Sequence, residues 1–150
     1  MIGESFWIML GAVAAVAAVV VKLWQIIFSN RKKLKLHFYE LDEVIGIAVT
    51  NVGNREIRVA EWLIIGAGYK CLIDTWENFS VPLPHILHIE ERVDLLYRRI
   101  FFIKQVSYLI QNKKIKPNKK VKFQITDTTG KEYYTYSNSI ASTYASECTE

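Results

Sequence analysis

Cysteine and proline are scarce in this chain, and its start has no positively charged side chain. The 150 residues include two cysteines and three prolines. Cys71 and Cys148 alone cannot form the multiple-disulfide framework of a small secreted domain. No lysine or arginine precedes Lys22, so the basic segment that opens a secretory signal peptide is missing. These absences argue against a secreted, disulfide-stabilised domain.

Motifs of common catalytic and cofactor sites are also missing. The chain has no Gly-x-Ser-x-Gly, and Gly66-Ala67-Gly68 lacks the Gly-Lys-Ser or Gly-Lys-Thr of a phosphate-binding loop. His85 and His88 fall in an extended pattern that points them to opposite faces, and zinc would need further ligands. We therefore expect no catalytic residue, no metal, no cofactor and no enzymatic activity. An enzyme whose site is not recognisable in the sequence remains an alternative.

A long apolar run is present near the N-terminus. Nearly every residue from Phe6 to Phe28 is apolar, and none is charged before Lys22. At about 1.5 Å per helical residue, this run is long enough to cross a hydrocarbon core of about 30 Å. We predict a transmembrane anchor over residues 1–28, followed by a basic linker over 29–33.

Residues typical of the membrane interface flank the predicted span. Trp7 and Trp24 are about 26 Å apart along a helix, a separation that suits the two interfacial belts. The Lys22 stem can extend along the helix and carry its ammonium to the headgroups. Because basic residues follow the span and none precedes it, we expect an external N-terminus and a cytoplasmic domain at the inner membrane. The predicted interface residues are Trp7, Lys22, Trp24, Arg31, Lys32 and Lys33.

Small residues recur at intervals of four within the predicted span. Gly11 and Ala15 form one such pair, and Ala14 and Ala18 form another. This spacing lets two helix backbones approach closely in lipid, so it predicts a possible homo-oligomer. The alternative is that alanine and valine simply make an adequate anchor.

Residues 34–137 have the pattern of a β-rich domain, followed by a polar tail over 138–150 that we expect to fray. We predict one amphipathic helix within 98–112, and a tight turn at Asn51-Val52-Gly53-Asn54 that pairs its flanking strands. Asp127-Thr128-Thr129-Gly130 predicts a second hairpin. The strands are predicted at 34–39, 44–50, 56–65, 69–73, 85–90, 92–97, 121–126 and 131–136.

This order of short strands indicates an antiparallel β-sandwich of immunoglobulin-like type. The motifs that support it are the turn at 51–54, Trp62, the Leu83-Pro84 pair and Phe123-x-x-x-Asp127-x-x-Gly130-Lys131-x-Tyr133. Over residues 34–137 the chain resembles small uncharacterised bacterial and phage proteins with an immunoglobulin-like domain, often behind a membrane helix. The resemblance implies a fold and no particular activity.

Lysine is concentrated between the predicted helix and the following strand. This cluster could lie against anionic lipid or bind nucleic acid, or it could be a solvated loop. Because we find no interleaved aromatic residues, we argue against nucleic acid as a partner. We expect instead a single-pass protein that acts as a binding or scaffold module for another protein at the bilayer. The residues predicted to face an anionic surface are Lys113, Lys114, Lys116, Lys119 and Lys120.

Overall fold

The structure, a computed structural model, describes residues 3–29, 31–73 and 81–149. It divides into two units, Met1–Arg31 and Lys32–Glu150. Helix α1, Gly3–Ser29, forms the first unit. Its segment Phe6–Phe28 is long and apolar enough either to span a membrane or to be a signal sequence, and none of it is buried by protein. A helix suits such a sequence because it satisfies the backbone hydrogen bonds internally.

The second unit is mostly β. Among the described residues it contains two antiparallel sheets, with the orders β1-β2-β6 and β4-β3-β7-β8, and β5 also pairs with β3. Its described residues also form two α-helices, α2 (Arg99–Gln111) and α3 (Ala141–Ser146), and a 3-10 helix over Glu147–Thr149. The strands are β1 (Leu34–Glu40), β2 (Val44–Asn51), β3 (Ile57–Gly66), β4 (Tyr69–Leu72), β5 (His85–Leu87), β6 (Arg92–Arg98), β7 (Lys120–Asp127) and β8 (Glu132–Ile140).

Aromatic side chains connect the two sheets. The ring of Phe38 in β1 stacks on that of Phe123 in β7, with centroids 5.2 Å apart. Trp62 in β3 meets Tyr97 in β6 edge to face at 6.3 Å. Trp62 and Phe123 are fully buried. The hydrophobic core therefore lies between the sheets, where alternate residues of each strand point.

The turn after β2 connects strands of different sheets. We predicted that it would pair β2 with β3, and this is wrong, because β2 pairs with β1 and β6. The buried Asn51 amide donates to the carbonyls of Arg55 (2.7 Å) and Leu87 (3.1 Å). Its oxygen accepts from the Gly53 N–H at 3.0 Å. Since Leu87 belongs to β5, which pairs with β3, these bonds fix the passage of the chain from one sheet to the other.

Helix α2 covers part of the core and begins at Arg99, within the predicted range. Phe102, Ile103, Val106 and Leu109 are buried, as the apolar periodicity predicted. Ile100 follows the same apolar periodicity, but it is 50% exposed because it lies in the first turn of the helix.

The domain continues beyond residue 137, where we predicted that it would end. Strand β8 reaches Ile140, and α3 follows directly. Tyr144 of α3 is almost fully buried and meets Phe102 edge to face at 5.0 Å. This aromatic contact gives the C-terminal segment an apolar anchor.

Two predicted segments differ in extent from the structure. The extended segment over 85–90 is a strand only at His85–Leu87, because Glu90 adopts a φ of 63° and turns the chain. Between the strands predicted at 69–73 and 85–90, residues 74–80 lie outside the described residues. The hairpin around Gly130, with a φ of 82°, is confirmed.

Candidate functional site: a lysine-tyrosine face

The β7–β8 hairpin places lysines and tyrosines side by side on one surface. Lys122 is opposite Tyr136, and Gln124 is opposite Tyr134. Phe123 lies between Lys122 and Gln124 and points into the core, so these partners lie on the outer side of the sheet, where Lys122 is half-buried and Gln124 is covered by its neighbours. Lys120 precedes them on the same side of β7, with the buried Val121 between it and Lys122, but the register shifts there, so that Lys120 is opposite Ile140 of β8. We call this surface the lysine-tyrosine face, formed by Lys120, Lys122, Tyr134 and Tyr136.

Both tyrosine rings of this face are accessible. The exposed fractions of Tyr134 and Tyr136 are 44% and 52%. The Lys122 Nζ lies 4.0 Å from the centroid of the Tyr134 ring, within the range of a cation-π interaction. Across the described ranges, Tyr136 makes no aromatic or cation-π contact. Its ring is therefore an unoccupied flat surface beside a lysine.

A hydrogen-bond network holds Tyr134 in place. The Tyr134 hydroxyl donates to Glu132, whose other oxygen accepts from Lys70 at 3.2 Å and from Gln124 at 3.1 Å. The bond to Glu132 raises the pKa of Tyr134, and the bonds from Tyr134 and Lys70 lower the pKa of Glu132. Tyr134 thus stays a neutral phenol at neutral pH, and the charge of Glu132 is compensated locally.

The predicted lysine cluster leads directly into this face. Lys116, Lys119 and Lys120 are exposed in the segment that enters β7. The start of α3 holds this segment, because the Ala141 N–H donates to the Lys119 carbonyl at 2.8 Å and the Ser142 N–H to that of Pro117 at 2.9 Å. The basic segment is therefore anchored to the domain at its end next to the face.

The other two predicted lysines lie at the end of α2. Lys113 has a φ of 55° and reverses the chain there. The Lys114 Nζ is 5.8 Å from the Tyr69 ring centroid, and the Lys114 carbonyl accepts from the Ala67 N–H at 2.7 Å. A Cβ at Gly66 would lie 2.5 Å from that carbonyl oxygen, so glycine permits this close approach. Lys114 thus ties α2 to the β3–β4 hairpin.

The basic segment and Lys32 lie at opposite ends of β7. The Lys32 Nζ is 3.9 Å from Asp127 Oδ2, at the last residue of the strand. Lys120 begins the strand, so about 23 Å separates the two ends at roughly 3.3 Å per residue. Charge on exposed groups is largely screened beyond about 8 to 10 Å at physiological ionic strength. Lys32 and Lys120 are therefore electrostatically separate.

The predicted membrane-interface residues lie on or just after α1. Trp7 and Trp24 are 68% and 62% exposed on this helix, and Lys22 lies between them. The Arg31 guanidinium carbon is 4.0 Å from the centroid of the Phe28 ring. The small residues of the predicted helix-helix contact, Gly11, Ala14, Ala15 and Ala18, also belong to α1. Their roles at the bilayer and in self-association stay predictions.

A cleft of about 700 Å³ lies where β6 meets α2. Arg99 lines it and donates to Glu147 through Nη2 (2.8 Å) and Nε (3.1 Å). Its Nη1 is 3.9 Å from Glu40, which also accepts from the Tyr144 hydroxyl. Burial, with this bond, raises the pKa of Tyr144 to about 12. These charges pair with one another, so the arrangement holds the C-terminal segment against the domain.

The histidines and cysteines are dispersed. Among the residues with described positions, no group of three or more His, Cys, Asp or Glu is placed to hold a metal ion. His88 contacts Glu56 at 2.6 Å, and His85 lies 3.8 Å from Glu91. Cys71 is half-buried and contacts Gln105. His85, His88 and Cys71 thus each contact a side chain of the same domain.

The tyrosines of the face were missed in the sequence because they follow the lysines by more than ten residues. Antiparallel pairing brings the two groups together across the hairpin. The signal in the sequence was Tyr134-x-Tyr136, an alternation that places both rings on one side of a strand. Together with the turn predicted at Asp127 to Gly130, this alternation would have placed both rings beside the lysines of β7.

The chain was compared with known proteins. No protein-family model matches it, and no curated protein matches it. Arguments about its function therefore depend on the geometry described above.

Proposed function

We propose that this chain is a single-pass, membrane-anchored and non-enzymatic binding module. Its lysine-tyrosine face would bind an anionic macromolecular partner at the inner, cytoplasmic side of the membrane. The observation that carries the proposal is the adjacency of the exposed Lys120, the half-buried Lys122 and two exposed tyrosine rings on one hairpin. Lysine attracts anions, and an exposed aromatic ring adds contact area at small entropic cost.

The proposed scaffold is an immunoglobulin-like sandwich. In that fold strands A, B, E and D share one sheet and strands C, F and G form the other, which strand C′ extends in the variable type. We assign β1, β2 and β6 to A, B and E, β3, β7 and β8 to C, F and G, and β4 to C′. The orders β1-β2-β6 and β4-β3-β7-β8 support this assignment, with β5 as an additional short strand on β3. The buried Trp62 on β3 supports it further, since a core tryptophan on the corresponding strand is typical of the fold.

The proposed location depends on α1 and on the basic residues after it. The exposed apolar surface of Phe6–Phe28 needs an apolar environment, and lipid supplies one. Lysine and arginine only on the C-terminal side favour a cytoplasmic domain. Lipid would then be one partner of the chain, and the ligand of the lysine-tyrosine face would be another.

The exposed Cys148 provides a test of this topology. In a Cys71→Ser background, a membrane-impermeant maleimide should label Cys148 in inverted vesicles and leave it unlabelled in intact spheroplasts. A Cys71→Ser/Cys148→Ser variant controls for background labelling. Labelling of Cys148 in intact spheroplasts would place the domain outside and contradict the proposal.

Retention on immobilised heparin tests the binding surface. We compare full-length protein in zwitterionic nanodiscs with a triple variant, Lys119→Gln/Lys120→Gln/Lys122→Gln. The control is Lys35→Gln/Arg55→Gln/Lys104→Gln, which changes the net charge equally at exposed sites elsewhere. The face variant should elute at lower salt than the wild type and the control. Equal elution of the two variants would show that only net charge matters, and the proposed surface would be wrong.

A further inference from the structure

We infer that the anionic partner of the lysine-tyrosine face is a single-stranded nucleic acid. Its bases would stack on Tyr136 and Tyr134, and its phosphates would face Lys120 and Lys122. This inference rests on the proposed function and specifies its ligand. It reverses our expectation from the sequence, in which we found no aromatic residues between the lysines.

The spacing of the two rings suits successive bases. Tyr134 and Tyr136 are two residues apart on β8, so their Cα atoms are about 6.6 Å apart along the strand. Single-strand-binding surfaces combine aromatic rings that stack bases with positive charge that follows the backbone. Tyr136 offers the more open ring, and Lys122 already covers part of Tyr134.

The charge of the outer sheet surface changes along the strands. Lys119 and Lys120 lie where β7 begins, which is the basic end of this surface, and Lys122 lies beside the two tyrosine rings. At the other end lie two carboxylates, Glu132, which forms an ion pair with Lys70, and Glu61, which is opposite Thr126. A bound strand would therefore extend from the rings toward the lysine segment, away from the carboxylates.

The rings favour a nucleic acid over the other anionic partners. An acidic peptide or an anionic lipid would use the lysines but would gain little from two flat rings. A duplex would hide its bases from an open sheet surface, because its base faces are stacked inside the helix. Single-stranded bases expose their faces and can use both features of the surface.

The test is fluorescence anisotropy of a labelled 15-mer oligothymidylate with full-length protein in zwitterionic nanodiscs. Tyr136→Ala should weaken binding about tenfold, the size expected for the loss of one stacked base. Tyr136→Phe should bind like the wild type, since the ring remains. Tyr108→Ala, a loss of a similarly exposed ring on α2, should also bind like the wild type.

Lys120→Gln should reduce the slope of log K against log salt by about 0.7, the value for one phosphate contact.

The failure of this inference differs from the failure of the proposed function. If Lys120→Gln weakens binding and Tyr136→Ala does not, the surface binds anions by charge alone, and the inference is wrong while the proposed function stands. The inference is also wrong if a 15-residue polyglutamate or phosphatidylserine vesicles compete as well as the unlabelled oligonucleotide. If heparin retention is also independent of the face, both proposals fail. Circular dichroism of Tyr136→Ala checks that the exposed substitution leaves the fold intact.

Discussion

The ammonium group of Lys122 lies 4.0 Å from the centre of the Tyr134 ring, across the β7–β8 hairpin. The two residues are diagonal neighbours, because Lys122 is directly opposite Tyr136. Such a pair contributes about 0.5 to 1 kcal/mol at an exposed site. The position of the ammonium group matters more than this energy, since the pair holds a positive charge beside two aromatic rings.

Among the described residues, Trp62 is the largest fully buried side chain of the core. We expect Trp62→Ala to lower the free energy of unfolding by about 3 to 5 kcal/mol, because the lost contacts leave a cavity between the sheets. Urea titration followed by circular dichroism measures this change. The control is Leu72→Ala, at a side chain that is 61% exposed, with an expected change within about 0.5 kcal/mol. Equal effects of the two substitutions would contradict the placement of the core.

Asn51 stabilises the passage between the sheets with both ends of its side-chain amide. Asn51→Ala should destabilise the domain by about 2 to 3 kcal/mol, because it leaves the Arg55 and Leu87 carbonyls without their donor. Asn51→Asp keeps the acceptor for the Gly53 N–H but loses the donor, so it should not restore stability. Thermal unfolding of the wild type, Asn51→Ala and Asn51→Asp measures these differences in stability. Full recovery with aspartate would show that the Gly53 bond alone matters.

Asp127 gives the domain a pH-dependent contribution. Burial raises its pKa, but hydrogen bonds from Thr129 and Lys131 and the charge of Lys32 outweigh burial, so the folded pKa lies below 3.8. The stabilisation is therefore fully present above about pH 4 and is lost as the pH falls through the folded value. Asp127→Asn should cost about 1 to 2 kcal/mol at pH 7, because a charged acceptor makes stronger hydrogen bonds.

Unfolding measured at a series of pH values tests this sign. The difference between the wild type and Asp127→Asn should be constant from pH 5 to 7 and should shrink below about pH 3.8. Asp42→Asn, at an exposed carboxylate, is the control and should show little difference at any pH. A difference that grows as the pH falls would contradict the lowered pKa of Asp127.

Arg99 and Glu147 hold the C-terminal segment. The hydrogen bond to Glu147 raises the pKa of Arg99, so the guanidinium stays charged at all accessible pH values. Glu147→Gln should lower global stability by less than about 1 kcal/mol, since the pair is partly exposed. It should nevertheless speed carboxypeptidase removal of the last residues, which mass spectrometry detects. Glu43→Gln, at an exposed carboxylate of the same cleft, should digest at the wild-type rate.

Local patterns in the sequence predicted much of the secondary structure. The alternation around Val121, Phe123 and Ile125 predicted β7, and the spacing of Phe102, Val106 and Leu109 predicted the buried face of α2. These predictions succeeded because period two and period 3.6 are properties of neighbouring residues. The pairing of β2 with β3 was predicted wrongly, because turn residues at 51–54 suit both a hairpin and a passage between sheets. The hydrogen bond from Asn51 to Leu87 spans 36 positions, and no local pattern reveals it.

The sequence by itself determined the apolar helix, the strand alternation and the β7–β8 hairpin, because each depends on residues close together in the chain. The tertiary structure decided which strands share a sheet, how Tyr144 fastens the C-terminal segment, and how far Lys120 lies from Lys32. It also decided which lysines and tyrosines share one surface. Lys122 and Tyr136 are 14 positions apart in the chain, and only the backbone pairing of two strands makes them neighbours.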